Sequence, residues 1–240
     1  MSIEEVLNSY LEKELNGDYK KFNEKLITTK YEILGVKIPV LRKLSKKLLK
    51  EFSYQEILNS LSNEYFEYVL IKGLVIANCE VSYIERLKLI DEYLTLIDNW
   101  CICDIFVSEL KFIKQHLNDF YQIVLDNLET NNAFHIRFSL VVLLTYYLND
   151  TYIDDVLKIS LSIKHEDYYV KMANSWLLSI CMVKYFDTTI NFMKEKQLSY
   201  DVWTYNKALQ KGRESLRISS EKKDILKNLK IKNKRLNNYE

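Results

Sequence analysis

Glycine and proline are almost missing from this chain of 240 residues, which has four of the first and one of the second. Strand-rich folds turn every few residues and draw on both for their turns, so this scarcity excludes a β-sandwich or a barrel. With Leu, Ile, Lys and Glu abundant, it predicts an all-helical protein. There is no glycine-rich phosphate loop and no Gly-x-Ser-x-Gly, and the three histidines (His116, His135 and His165) lie far apart in the chain. The four cysteines, Cys79, Cys101, Cys103 and Cys181, form no Cys-x-x-Cys and have no histidine at a ligand spacing. The pair at 101 and 103 points to different sides of a helix, so neither a metal site nor a cofactor is expected. A Cys–His nucleophile requires Cys101 or Cys103 to meet His135 in space.

No apolar run approaches the roughly 18 residues of a membrane span, and Met1 is followed by the acidic Ser-Ile-Glu-Glu rather than an export signal. Cysteines without such a signal imply a reducing compartment, so a cytoplasmic protein is expected; no membrane partner is expected, and the protein is expected to be a monomer. The formal net charge of +1 names no partner by itself.

What the chain does have is a succession of amphipathic segments. Residues 3–14 and 18–27 read as two short helices separated by Asn16-Gly17-Asp18. The segment from Tyr31 to Pro39 reads as a loop, with Pro39 suited to a first helical turn. Val40 to Phe52 follows as a helix with a basic face of Arg42, Lys43, Lys46, Lys47 and Lys50, and Lys37 just before it. The first half of that helix holds no acid to offset these charges. Ser53 and Glu56 form a capping box for a short helix to Leu61, and Asn63 is placed to cap a longer apolar helix from Glu64 to Cys79. Further helices are predicted at 82–96, 99–114, 117–128, 132–148, 152–161, 167–185, 187–196, 201–216 and 219–234. Links of two to five residues make consecutive helices antiparallel. The chain therefore reads as one domain over 1–240: an α-solenoid of helical hairpins, right-handed and with a concave face, ending in a basic C-terminal helix or tail over 219–240.

Charge is segregated along this series. From Lys207 to Arg235 eleven basic residues stand against three acids, a local excess of +8 in a chain whose total is +1, so the remainder carries −7. A basic segment on such a scaffold suits phosphate, and the other reading of it is a solvated tail.

Asp98-Asn99-Trp100-Cys101-Ile102-Cys103-Asp104 opens one of the predicted helices. Asp98 or Asn99 can cap it, which leaves Trp100 and Asp104 one turn apart on one face. An aromatic and a carboxylate so placed can address one ligand. Read without that ligand, Trp100 is core and Asp104 is a first-turn acid favoured by the helix dipole.

Four stretches, in order, resemble the DNA alkylation repair proteins of the HEAT-like-repeat DNA glycosylase family, as a short-branch member. They are Ile33-Leu34-Gly35-Val36-Lys37-Ile38-Pro39-Val40-Leu41-Arg42-Lys43-Leu44, Asn99 to Asp104, Phe134-His135-Ile136-Arg137-Phe138-Ser139-Leu140-Val141, and Tyr168-Tyr169-Val170-Lys171-Met172-Ala173-Asn174-Ser175-Trp176. In the third, His135 stands where the family's pattern has a Trp or a second basic residue.

The resemblance implies a concave basic surface that grips duplex DNA. It implies hydrolysis of the N-glycosidic bond of cationic alkylated purines such as 3-methyladenine and 7-methylguanine, with no metal or cofactor. By that resemblance Asp104 stabilises the sugar cation and aims a water, Trp100 and Trp176 present aromatic faces to it, and Arg137 clamps a backbone phosphate. Lys37, Arg42 and Lys43 at one end, and Lys207, Lys211, Arg213 and Arg217 at the other, hold phosphates without reading bases. The alternatives are an ion-pair partner for Arg137 and plain core for Trp176. A second reading of the whole chain keeps the fold and drops the chemistry: a non-catalytic repeat module that binds DNA structure or a protein. The two readings part at Asp104.

Overall fold

The computed structural model describes residues 2–231, and among them the chain is all-helical, with fourteen α-helices, short links and no strand. Contacts divide it into two compact units, separated in sequence between Gln115 and His116. The expected basic residues Lys232, Lys234 and Arg235 lie outside the described residues.

The first unit holds α1 (Ile3–Leu11), α2 (Gly17–Leu26), α3 (Ile38–Glu51), α4 (Tyr54–Ser60), α5 (Phe66–Asn78), α6 (Tyr83–Leu94) and α7 (Trp100–Glu109). Their starts are written in side chains. Ser2 with Glu5 and Ser53 with Glu56 form complete capping boxes for α1 and α4. Asn16, Ser82 and Asn99 accept from the free amides of α2, α6 and α7, each cap contributing about 1 kcal/mol. Pro39 sits in the first turn of α3, where a missing N–H leaves no bond unmade.

The core of this unit is α5, which packs on α3, α4, α6 and α7. It is apolar over most of its circumference, as a largely surrounded helix must be, and Phe66, Val69, Leu70, Ile71, Leu74 and Val75 are all buried. Gly73 is the exception that makes room: a methyl group there would run into the ring and hydroxyl of Tyr93. That buried hydroxyl donates to the Val69 carbonyl at 2.9 Å, and the ring packs against Phe106 with centroids 4.4 Å apart.

The second unit holds α8 (Leu117–Leu128), α9 (Ala133–Tyr146), α10 (Ile153–Ser162), α11 (Tyr168–Lys184), α12 (Phe186–Glu195), α13 (Val202–Glu214) and α14 (Ser220–Asn228). Its axis is α11, which packs on both α9 and α13. α10 is tied to α11 by a buried reciprocal pair, Ser160 Oγ to Asn174 Oδ1 at 2.6 Å and Asn174 Nδ2 to the Ser160 carbonyl at 2.9 Å.

Several helix boundaries differ from those the sequence suggests, and at three of them the structure shows what takes over. The helix expected from Glu64 begins at Phe66, because Glu64 and Tyr65 run extended beside Glu32. The Glu32 amide donates to the Glu64 carbonyl at 2.9 Å and the Phe66 amide to the Glu32 carbonyl at 2.8 Å. Asn63 therefore caps nothing and instead accepts from Lys72 Nζ at 2.6 Å. The helix expected over 99–114 leaves α geometry at Leu110 and ends in a 3-10 turn, Lys111–Gln115. The last helix stops at Asn228 rather than 234, and Asn206 then holds the chain from both sides: its amide donates to the Ile231 carbonyl at 3.0 Å and its oxygen accepts the Ile231 N–H at 2.9 Å.

Candidate functional site

In the first unit the site is built on the start of α7. Asn99 is fully buried; its side-chain oxygen accepts from the amides of Cys101 at 2.9 Å and Ile102 at 3.1 Å, and its amide donates to Asp98 at 2.7 Å. Asn99 is thus the cap, and Asp98 has a separate role. The Asp98 carboxylate accepts from the Thr29 hydroxyl at 2.8 Å and from the Lys30 amide at 2.7 Å, so the α2–α3 link is pinned to the base of α7. Ile102, Cys103, Phe106 and Val107 are buried on the core side. Trp100 and Asp104, one turn apart, are both half-buried. The Trp100 indole N–H points at the Leu26 carbonyl at 3.5 Å, which orients the ring.

Burial pushes the Cys101 thiol up to about 12, and the negative charges of Asp104 and Glu67 push in the same direction. A thiol held neutral is a poor nucleophile, and Asp104 is the carboxylate that stands one turn from Trp100 on this helix.

The loop preceding α3 is folded around Glu67, which has no exposed surface. Its carboxylate accepts from three successive amides, Leu34 and Gly35 at 2.8 Å and Val36 at 3.1 Å. Gly35 has φ +94°, and a Cβ there would lie 2.7 Å from the Asn16 carbonyl oxygen; only glycine meets both demands. The residues after it present Lys37 and Lys43 to solvent. Arg42 differs from them. Its Nε donates to Glu109 of α7 at 2.8 Å, so the acid missing from its own helix is supplied by another.

In the second unit Arg137 stands near the start of α9, only 4% exposed, with Nη1 donating to the Tyr169 carbonyl at 2.9 Å. His135 Nδ1 lies 2.9 Å from Asn127 Oδ1. Trp176 is half-buried in α11. On α13, burial lowers the Lys211 pKa, the positive charge of Lys207 lowers it further and that of Arg137 adds to this, while Glu214 opposes them. Positive charge from α9 and α13 is therefore gathered in one region. Arg217 is exposed in the link to α14.

A cavity of about 560 Å³ opens beside α13, lined among others by Trp203, Asn206, Lys207, Gln210, Arg213 and Lys230. The eleven residues singled out in the sequence thus fall into two groups. Trp100, Asp104, Lys37, Arg42 and Lys43 belong to the first unit, and Arg137, Trp176, Lys207, Lys211, Arg213 and Arg217 to the second.

Trp203 was not singled out in the sequence, and Tyr168 and Lys230 stood there only within the fourth motif and the basic segment. A signal for the aromatics was present. Phe66, Trp100, Phe134, Tyr168 and Trp203 each occupy the first or second position of α5, α7, α9, α11 and α13, at steps of 34 or 35 residues. Among the described residues no group of three or more His, Cys, Asp or Glu is arranged to hold a metal ion, and no helix is long and apolar enough to cross a membrane.

The family model described as DNA alkylation repair enzyme matches residues 3–216, which take in all four motifs and every candidate residue except Arg217 and Lys230. Comparison with curated proteins and with solved structures returned no match. The chain belongs to the DNA alkylation repair enzyme family.

Proposed function

From this membership in a DNA repair family, we propose that the protein is a DNA glycosylase. It hydrolyses the N-glycosidic bond of cationic alkylated purines, 3-methyladenine and 7-methylguanine, in duplex DNA, as a monomer and without a metal or cofactor. The observation that carries the reading is the start of α7, where Asn99 sets the helix so that a half-open carboxylate, Asp104, stands one turn from a half-open indole, Trp100.

The chemistry needs little more. An N-alkylated purine already bears positive charge and leaves as a neutral base, so no strong general acid is required. The bond from C1′ to the purine nitrogen breaks with its electron pair going to the purine. Asp104 stabilises the positive charge left on the sugar and orients a water, whose oxygen bonds to C1′ and whose proton passes through the carboxylate to solvent. The Trp100 face attracts the same cation; Trp176, in the second unit, is read as a separate aromatic face for the DNA. Arg137 reaches a neighbouring phosphate only by giving up its bond to the Tyr169 carbonyl. Lys37, Lys43, Lys207, Lys211, Arg213 and Arg217 hold phosphates along the duplex, with Arg42 a weaker contributor because Glu109 already engages it. The helical hairpins of each unit are read as HEAT-like repeats.

The second reading, a non-catalytic module that binds DNA structure or a protein partner, is favoured by one observation: Arg137, the expected phosphate clamp, is buried and committed to the Tyr169 carbonyl. The two are separated by incubating the protein with duplex DNA pretreated with a methylating agent and measuring free methylpurine. Release above spontaneous depurination supports the glycosylase. Binding without release supports the module.

A further inference from the structure

We propose that the α11–α13 edge of the second unit is a site for an unpaired nucleotide of a DNA strand, its base stacked on Trp203 and Tyr168 and its phosphate held by Lys207, Arg213 and Lys230. The proposal rests on the reading that DNA is the substrate, but not on the glycosylase chemistry.

Trp203 and Tyr168 are 39% and 57% exposed, although large aromatics are among the side chains that gain most from burial. They touch each other, with ring centroids 5.9 Å apart and planes inclined at 64°, so they form an open corner rather than a closed stack. The corner continues inward: Tyr168 meets Tyr169 at 5.7 Å and Tyr169 meets Phe134 at 5.3 Å. Of the four, Tyr168 and Trp203 are the exposed pair, and an exposed aromatic face is what stacking on a base requires.

Trp203 also lines the 560 Å³ cavity, which places the aromatic corner beside its cations. The volume lies within the range that encloses small-molecule ligands. Lys207, Arg213 and Lys230 line it, and the one carboxylate among the lining residues, Asp201, is already engaged by the Thr204 amide and hydroxyl, both at 2.8 Å, and by Lys171 at 3.6 Å. Arg213 Nε is buried and has no hydrogen-bond partner among the described residues. The residue as a whole is only half-buried and lines the cavity, so its charge is offered to a phosphate there. Asn206, through its two bonds to Ile231, fixes the segment that carries Lys230 against α13.

Taken together these are a stacking surface and an anion pocket that share one residue. An intact duplex has its base faces covered by neighbouring pairs and offers such a corner only phosphates. An unpaired nucleotide offers both.

The test uses the full chain and two fluorescent probes, an oligothymidylate of eight residues and a blunt duplex, titrated by anisotropy. Trp203→Ala and Tyr168→Ala, at exposed positions, are first checked for unchanged thermal melting. Each is expected to weaken oligothymidylate binding by about 5- to 100-fold, the range for loss of one base–aromatic stack, and to leave duplex binding and methylpurine release unchanged. Lys207→Ala and Arg213→Ala are each expected to weaken oligothymidylate binding and to lower its log–log salt slope by about 0.7. Oligothymidylate binding that is absent in the wild type, or equal in wild type and both aromatic variants, overturns the proposal. If the aromatic variants lose single-strand binding while the wild type releases no methylpurine, this site stands and the glycosylase reading falls.

Discussion

Glu67 holds Gly35: the buried carboxylate accepts the Gly35 N–H at 2.8 Å, and the amides on either side of Gly35 are bonded to the same group. The Gly-x-x-x-Pro stretch before α3, one of the four family motifs, is therefore a structural clamp that delivers Lys37 and the start of α3. Glu67→Gln puts an N–H₂ donor where only acceptors fit. Leaving even one buried amide unpaired costs roughly 1–3 kcal/mol, so the variant is expected to melt several degrees lower. Gly35→Ala is expected to do the same for a different reason, because its φ of +94° and the Asn16 carbonyl at 2.7 Å both oppose a methyl group. Differential scanning calorimetry of the two variants checks both.

The basic face of α3 divides into free and engaged charges. Lys37 and Lys43 are exposed, whereas Arg42 is paired with Glu109. Removing Lys37 or Lys43 is expected to weaken duplex binding and to reduce the log–log salt slope by about 0.9 each, one phosphate apiece. Arg42→Ala is expected to change the slope less. A double-mutant cycle of Arg42→Ala with Glu109→Ala is expected to give a coupling of about 1 kcal/mol or less, since the arginine is partly exposed. Anisotropy titrations at four salt concentrations, with chemical denaturation for the cycle, read these out.

Burial raises the thiols of Cys101 and Cys181 to about 12, from an ordinary value of 9.0. In the native state they are thiols at neutral pH, and native protein is expected to react with a thiol-specific reagent at pH 8 far more slowly than denatured protein. The sign of the pH dependence follows. Between pH 9 and 12 the unfolded chain releases these protons and the folded chain keeps them, so the unfolded state binds fewer protons and stability falls as pH rises through that window. Their slope begins near pH 8, as the unfolded thiols start to ionise, and is negligible at pH 7. Equilibrium unfolding at pH 8, 9.5 and 10.5 tests it.

The helices themselves were the legible part of the sequence. Scarce Gly and Pro, the Ser53–Glu56 capping box and Asn99 before α7 are local signals, and local signals set helix starts. The misplaced boundaries arise where a distant segment intervenes: Glu32 draws Glu64 and Tyr65 into an extended pairing, and Asn206 holds Ile231 clear of α14. The site was legible as residue types and only partly as geometry. Trp100 and Asp104 share a helix face by spacing alone, so their relation could be read directly. The burial of Arg137 against the Tyr169 carbonyl and the engagement of Arg42 by Glu109 depend on partners 32 and 67 residues away, which no local pattern announces. The cavity that Trp203 and Lys230 share escaped for the same reason, since it exists only once Asn206 has brought residue 231 back to α13.

The most direct test of the central claim is single-turnover release of 3-methyladenine and 7-methylguanine from methylated duplex DNA by wild type and by Asp104→Asn, with duplex affinity measured on the same preparations. The account predicts release by wild type, a loss of at least about 100-fold in the variant, as expected when a group that stabilises developing charge is removed, and affinities within about twofold of each other. Release that is undiminished in Asp104→Asn would contradict it, as would wild-type protein that binds the duplex and frees no base beyond spontaneous depurination.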